Sequence, residues 1–118
     1  MGFFQRVGRF FTQTDEERLD DEIEAWADRI PGTVRIDSCP NREPVRIAGW
    51  VNRLRLRPMN GTTTLEAVVS DGTGEVTAQW TGRSSIPGLA LGTGVVLEGV
   101  LGRDRDELRM VNPRFEFA

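Results

Sequence analysis

The sequence contains no histidine, no tyrosine and no lysine, and Cys39 is its only cysteine. Without histidine, the commonest general base and the commonest metal ligand are missing. A single cysteine forms no internal disulfide, and Cys39 has no cysteine or histidine partner for a metal site. No nucleophile–base pair is in view, because Cys39 lacks a base and Asp71 is accounted for by turn chemistry. The expectation is a non-catalytic protein with neither metal nor cofactor. No apolar run is long enough to cross a bilayer. The first residues lack the pattern of a secretory signal, and Arg6 stands where myristoylation needs serine or threonine. A cytoplasmic chain without stable membrane insertion is therefore expected.

The absence of lysine makes all 15 basic residues arginine. A GC-rich genome produces the same bias, yet the physical consequence stands. Guanidinium forks match phosphate bidentately and stack on bases. Charge is also uneven. Residues 1–28 hold three arginines against eight carboxylates, a balance of −5 within a total of −3, so the remainder carries +2. Net charge neither argues for nucleic acid nor excludes it.

At 118 residues the chain is long enough for one core. Two parts are expected: an N-terminal helical arm and connector at 1–42, and a small closed β-barrel at 43–118. Phe3, Phe4, Val7, Phe10 and Phe11 share one helical stripe, suited to docking on the barrel or to self-association. Membrane contact is the lesser alternative, because the stretch is short and contains Gly8. Thr14 and Glu17 form a capping-box signature, and acids fill the first turn of the helix they announce. Leu19, Ile23, Trp26, Ala27 and Ile30 repeat on its buried face, and Pro31-Gly32 stops it.

From residue 43 the period changes to two. Val45, Ile47, Gly49 and Val51 alternate with Arg46, Ala48, Trp50 and Asn52. Beyond Asn52 the phase slips, so that Leu54 and Leu56 alternate with Arg53, Arg55 and Arg57. Such a slip within one strand predicts a β-bulge, and Gly49 lets the strand coil sharply. Pro58–Gly61 reads as a turn. Thr62–Ser70 and Glu75–Thr81 read as strands joined by Asp71-Gly72-Thr73-Gly74, a hairpin signal. Val95–Leu101 and Leu108–Val111 complete five strands, the last two expected as a second hairpin. Asn112-Pro113 ends the last strand.

The runs VRIAGWVNRLRLRP, LEAVVSDGTGEVTAQWTG, IPGLALGTGVVLEGVLG and LRMVNPRFEF together resemble a nucleic-acid-binding OB-fold. The DGTG turn is similar to that of class II synthetase anticodon-binding OB domains. The Met110-Val111-Asn112-Pro113 segment is similar to the wedge domain of RecG-type branched-DNA helicases. The whole chain resembles small actinobacterial OB-fold proteins, which share an acidic N-terminal helix, an IPG loop and a terminal NPR-aromatic segment. The resemblance implies a mainly β, five-stranded OB-fold barrel with an N-terminal α-helix. It also implies a ligand of single-stranded or branched nucleic acid held across strands 2 and 3. Residues 82–93 are too rich in glycine and proline for the plugging helix of the common OB-fold. The 14–30 helix is therefore expected to supply the plug through Leu19, Ile23, Trp26 and Ile30.

Cationic groups tracking phosphates and aromatic faces stacking on bases are what such binding requires. Arg53, Arg55 and Arg57 form the best row of cations. Arg83, Arg103, Arg105 and Arg109, with Arg114 beyond them, are candidates to complete the groove. Trp50 shares its parity with Arg46 and Asn52, which suits either a stacking surface or packing under the N-terminal helix. Trp80 stands where many OB domains place a stacking aromatic, although its parity with Val76 and Ala78 points to the core. A protein-interaction or assembly module on the same fold is the alternative role.

Overall fold

A computed structural model describes residues 14–118, so the phenylalanine stripe expected at 3–11 lies outside the described residues. Helix α1 spans Asp15–Ala27. Its capping box forms as expected: the Thr14 hydroxyl accepts from the Glu17 amide at 3.0 Å, and the Glu17 carboxylate accepts from the Thr14 amide at 2.9 Å. Asp15, Glu16 and Glu17 then lie at the positive end of the helix dipole.

Seven strands follow: β1 (Pro44–Met59), β2 (Thr62–Ser70), β3 (Glu75–Thr81), β4 (Gly94–Val100), β5 (Gly102–Asp104), β6 (Glu107–Val111) and β7 (Arg114–Phe117). They form a single sheet in the order β5-β6-β3-β2-β1-β4-β7. β1 is long enough to serve two neighbours. Its first half pairs with β4 and its second half with β2, with Trp50 opposite both Gly94 and Ser70. The register shifts between Val51 and Arg53, which puts the expected bulge at Asn52. Gly49 lies just before the bulge, against β2. A Cβ there would stand 2.6 Å from the Ser70 carbonyl oxygen and from Val69 Cγ1.

Three expectations about the sheet are corrected. Among the described residues the strand count is seven, because the short segments 102–104 and 114–117 also pair. The sheet curls as a half-barrel, since its outer strands β5 and β7 do not pair with each other. Nor do β4 and the 107–111 strand form a hairpin. β6 instead turns back on β5 and runs parallel to β3.

One face of the curled sheet encloses the main core: Ile47, Val51, Leu65, Ala67, Val69, Val76, Ala78, Trp80, Val95, Leu97 and Met110. The open ends of this core are filled by segments other than α1. Ile36, in a 3-10 turn at Ile36–Ser38, and Ile86, with Leu89 beside it in the 82–93 loop, belong to the main core cluster. Burying one such side chain is worth about 1.5–3 kcal/mol, so a loop without a helix can still close a barrel end. The expected plug by α1 is therefore not what forms. The helix instead lies outside β1 and β4, where Trp26, Ala27 and Ile30 pack with Ala48 and Val96 in a separate cluster. Leu19, expected in the plug, is 45% exposed.

The 71–74 turn ties these parts together. Asp71 is buried, and its carboxylate accepts from the amides of Ile36, Thr73 and Gly74. Turn and 3-10 segment are thus joined through one side chain. Gly72, at φ +88°, lies so close under α1 that a Cβ would strike the Asp20 carbonyl oxygen.

Candidate functional site

Directly opposed residues in a sheet share a face, and the register arranges the non-core face of β1, β2, β3 and β6 in rows. The first row is Trp50–Ser70–Glu75 and the second is Arg53–Val68–Thr77–Arg109. The third is Arg55–Glu66–Gln79–Val111, and the fourth is Arg57–Thr64–Thr81. The bulge at Asn52 makes this alignment possible. Because it absorbs one residue, Trp50 and the three arginines emerge on the same face despite their opposite parity.

The floor of these rows is covered. Thr64, Glu66, Val68, Thr77 and Gln79 are all buried although they point away from the main core. Glu66 is the centre of the arrangement, with its side chain 1% exposed. Its Oε1 accepts from Arg55 Nε at 2.8 Å, its Oε2 accepts from Gln79 Nε2 at 2.6 Å, and Arg57 stands 3.6 Å from Oε2. Burial by itself pushes the Glu66 carboxyl up. The hydrogen bonds from Gln79 and Arg55, with the charges of Arg57 and Arg55, outweigh burial and hold it below the usual glutamate range. One carboxylate therefore anchors two half-exposed guanidiniums. Arg53, exposed in the next row, has no ion pair among the described residues.

The other candidates separate. Arg109 joins the Arg53 row from β6, but it is ion-paired with Glu107 and lies 3.8 Å from Asp104. Arg103 is opposite Leu108, which shares a face with Val76, so it points to the other side of the sheet from Arg109. Arg83 is exposed in the loop after β3, and Arg105 is exposed at the β5–β6 tip with φ 61°. Neither belongs to the rows. Arg114 is beyond β4, paired with Glu98 at 2.5 Å, and Arg46 shares the same carboxylate. Hydrogen bonds from Arg46 and Arg114 hold the Glu98 carboxyl below its ordinary value.

Both tryptophan candidates are engaged elsewhere. Trp80 is 4% exposed, donates its indole N–H to the Pro113 carbonyl at 3.2 Å and meets Phe115 edge-on at 5.6 Å. It has no free face for a base, which corrects its place among the binding residues; parity was the better guide. Trp50 is half-buried, with its ring 6.1 Å from that of Trp26 on α1. Packing under the helix is the alternative realised there. Sequence reasoning missed Glu66 and Gln79. Alternation puts both on the face opposite the core, where nothing local signals a buried carboxylate.

No protein-family model and no curated protein matches the sequence. Among solved structures the fold is similar to part of RecG bound to a three-way DNA junction, with a TM-score of 0.61 and 17% identity over 71% of this chain. The match spans 12% of the RecG chain. A second similar structure is the OBody AM1L10 bound to hen egg-white lysozyme, with a TM-score of 0.54 and 17% identity. That match covers 74% of this chain and 93% of the OBody.

Proposed function

We propose that the protein is a non-catalytic OB-fold module that binds single-stranded or branched nucleic acid, with little sequence preference, on the outer face of β1, β2 and β3. The observation that carries this reading is the alignment of Arg53, Arg55 and Arg57 on one face of β1, two of them anchored on Glu66. Alternate residues of a strand recur every ~6.7 Å, so the row offers regularly spaced guanidiniums to a phosphate chain. Likeness in fold to a segment of RecG, whose structure was determined on a DNA junction, supports the same reading. The antiparallel β1–β4 and parallel β3–β6 pairings accompany the β1–β2–β3 meander in the arrangement we read as an OB-fold.

A second reading is a protein-interaction module. The similarity to an OBody bound to lysozyme and the exposed Val111 at the end of the third row favour it. Fluorescence anisotropy with labelled single-stranded and branched DNA and RNA, at low and moderate salt, separates the two. The nucleic-acid reading expects salt-sensitive binding that weakens when Arg53, Arg55 and Arg57 are replaced by glutamine. Absence of binding at micromolar protein in low salt would refute it, as would binding indifferent to those substitutions.

A further inference from the structure

Resting on the nucleic-acid reading, we infer that the face takes its ligand by the sugar–phosphate backbone alone and engages no base. Two ways of engaging a base have to be considered, stacking on its face and hydrogen bonding to its edge.

Aromatic stacking needs a freely exposed ring beside the arginines, and among the described residues none is freely exposed there; a guanidinium can also lie on a base, but Arg55 and Arg57 are tethered to Glu66 from beneath. Trp80 is in the core, packed against Phe115. Phe115 and Phe117 are opposite Leu97 and Val95, on the core side of the sheet, and meet each other at 5.9 Å. Trp26 is clamped over Gly94, where a Cβ would stand 2.8 Å from its ring. Trp50 alone shares the arginine face, and it is turned to Trp26 at the acidic end of that face. Its cross-strand row ends on Glu75, and Glu16 and Asp20 of α1 line the same recess as Glu75, Asn52 and Ser70. A polyanion drawn to Arg53, Arg55 and Arg57 is repelled from that end.

Edge recognition needs accessible donors and acceptors, and those of the floor are buried beneath the arginines. The Gln79 amide donates to Glu66, and the Glu66 carboxylate is filled by Gln79 and Arg55 with Arg57 close by. Thr64 and Thr77 are buried beside them. Besides Thr81 and Val111 at the ends of their rows, what faces outward is guanidinium. Among the described residues Arg53 has no ion pair, and Arg55 and Arg57 are oriented from beneath with about half of each side chain still exposed. A ligand therefore meets cations that suit phosphate oxygens.

The test compares two labelled single strands of equal length, one of ordinary sequence and one carrying abasic sites throughout its central region, on the full chain at low salt. A stacked base is worth roughly five- to 150-fold in affinity. Backbone binding expects the two dissociation constants to agree within threefold. An abasic strand bound more than threefold more weakly overturns the inference while leaving nucleic-acid binding in place. Failure of both strands to bind overturns the binding reading itself, and the inference with it.

Discussion

Arg55 and Glu66 stand opposite each other across β1 and β2, joined Nε to Oε1 at 2.8 Å, with the carboxylate sealed from solvent and the guanidinium half exposed. The pair is asymmetric. Losing the arginine leaves a buried charge, whereas losing the charge on the glutamate leaves an exposed cation. The second change is the milder and the more informative one.

Glu66→Gln should lower stability at neutral pH by about 1–3 kcal/mol, the usual range for a buried hydrogen-bonding group deprived of its charged partner. Because the folded-state pKa of Glu66 is depressed, its contribution is present above the ordinary glutamate value and is lost as the pH falls through the folded-state pKa. Urea midpoints followed downward from about pH 4.3 should therefore fall more steeply in the parent than in the variant. Parallel curves would contradict the assignment. Glu98, also depressed, supplies a similar acid-side loss in both proteins.

Two glycines should tolerate alanine badly, and a third somewhat less badly. Gly49→Ala places a methyl 2.6 Å from Ser70 O and Val69 Cγ1, so a loss of about 1–3 kcal/mol is expected. Gly72→Ala adds left-handed strain to a collision with α1, and its loss should be at least as large. Gly61, at φ +79° with open space around it, bears the strain alone, and about 1–2 kcal/mol is expected for Gly61→Ala. Thermal denaturation should rank them with Gly61→Ala as the mildest.

Trp26→Ala should cost about 1–3 kcal/mol, less than the range for a fully buried tryptophan, because Trp26 is half-buried. It should also red-shift the emission of Trp50, whose ring loses its edge contact. An unshifted spectrum would mean that α1 does not shield Trp50.

The arginine row should be visible in the salt dependence of binding. Each phosphate contact removed should reduce the slope of log affinity against log salt by about 0.7–0.9. Glutamine at Arg53, Arg55 or Arg57 should have this effect, and Arg103→Gln, on the opposite side of the sheet, should leave the slope unchanged.

The sequence made some of this legible and not the rest, for physical reasons. Local signals carried the capping box, the 62–70 and 75–81 strands and the phase slip in β1, because each is encoded within a few neighbouring residues. Trp80 was decided by parity, a local signal, over a position borrowed from family likeness. The course of α1 was misread because an apolar helix stripe does not say which surface it will meet. Ala48 and Val96 on the outer face of the sheet proved to be its partners. The two added strands, 102–104 and 114–117, are too short for periodicity to register and form only where a neighbour is already placed. Glu66 escaped notice for the same reason. Its burial depends on Arg55, Arg57 and Gln79, brought together by pairing across three strands.

The bulge at Asn52 has a consequence for how β1 tolerates changes of length. The strand contains one residue more than its hydrogen-bond ladder with β2 counts. Deleting Asn52 would leave every inward and outward assignment on either side as it is and remove only the bend. Inserting a residue beside it has no second irregularity to absorb the change. That insertion would rotate Arg53, Arg55 and Arg57 to the core side of the sheet and carry Leu54 off the core it packs against. In this stretch the chain can be shortened by one but not lengthened by one.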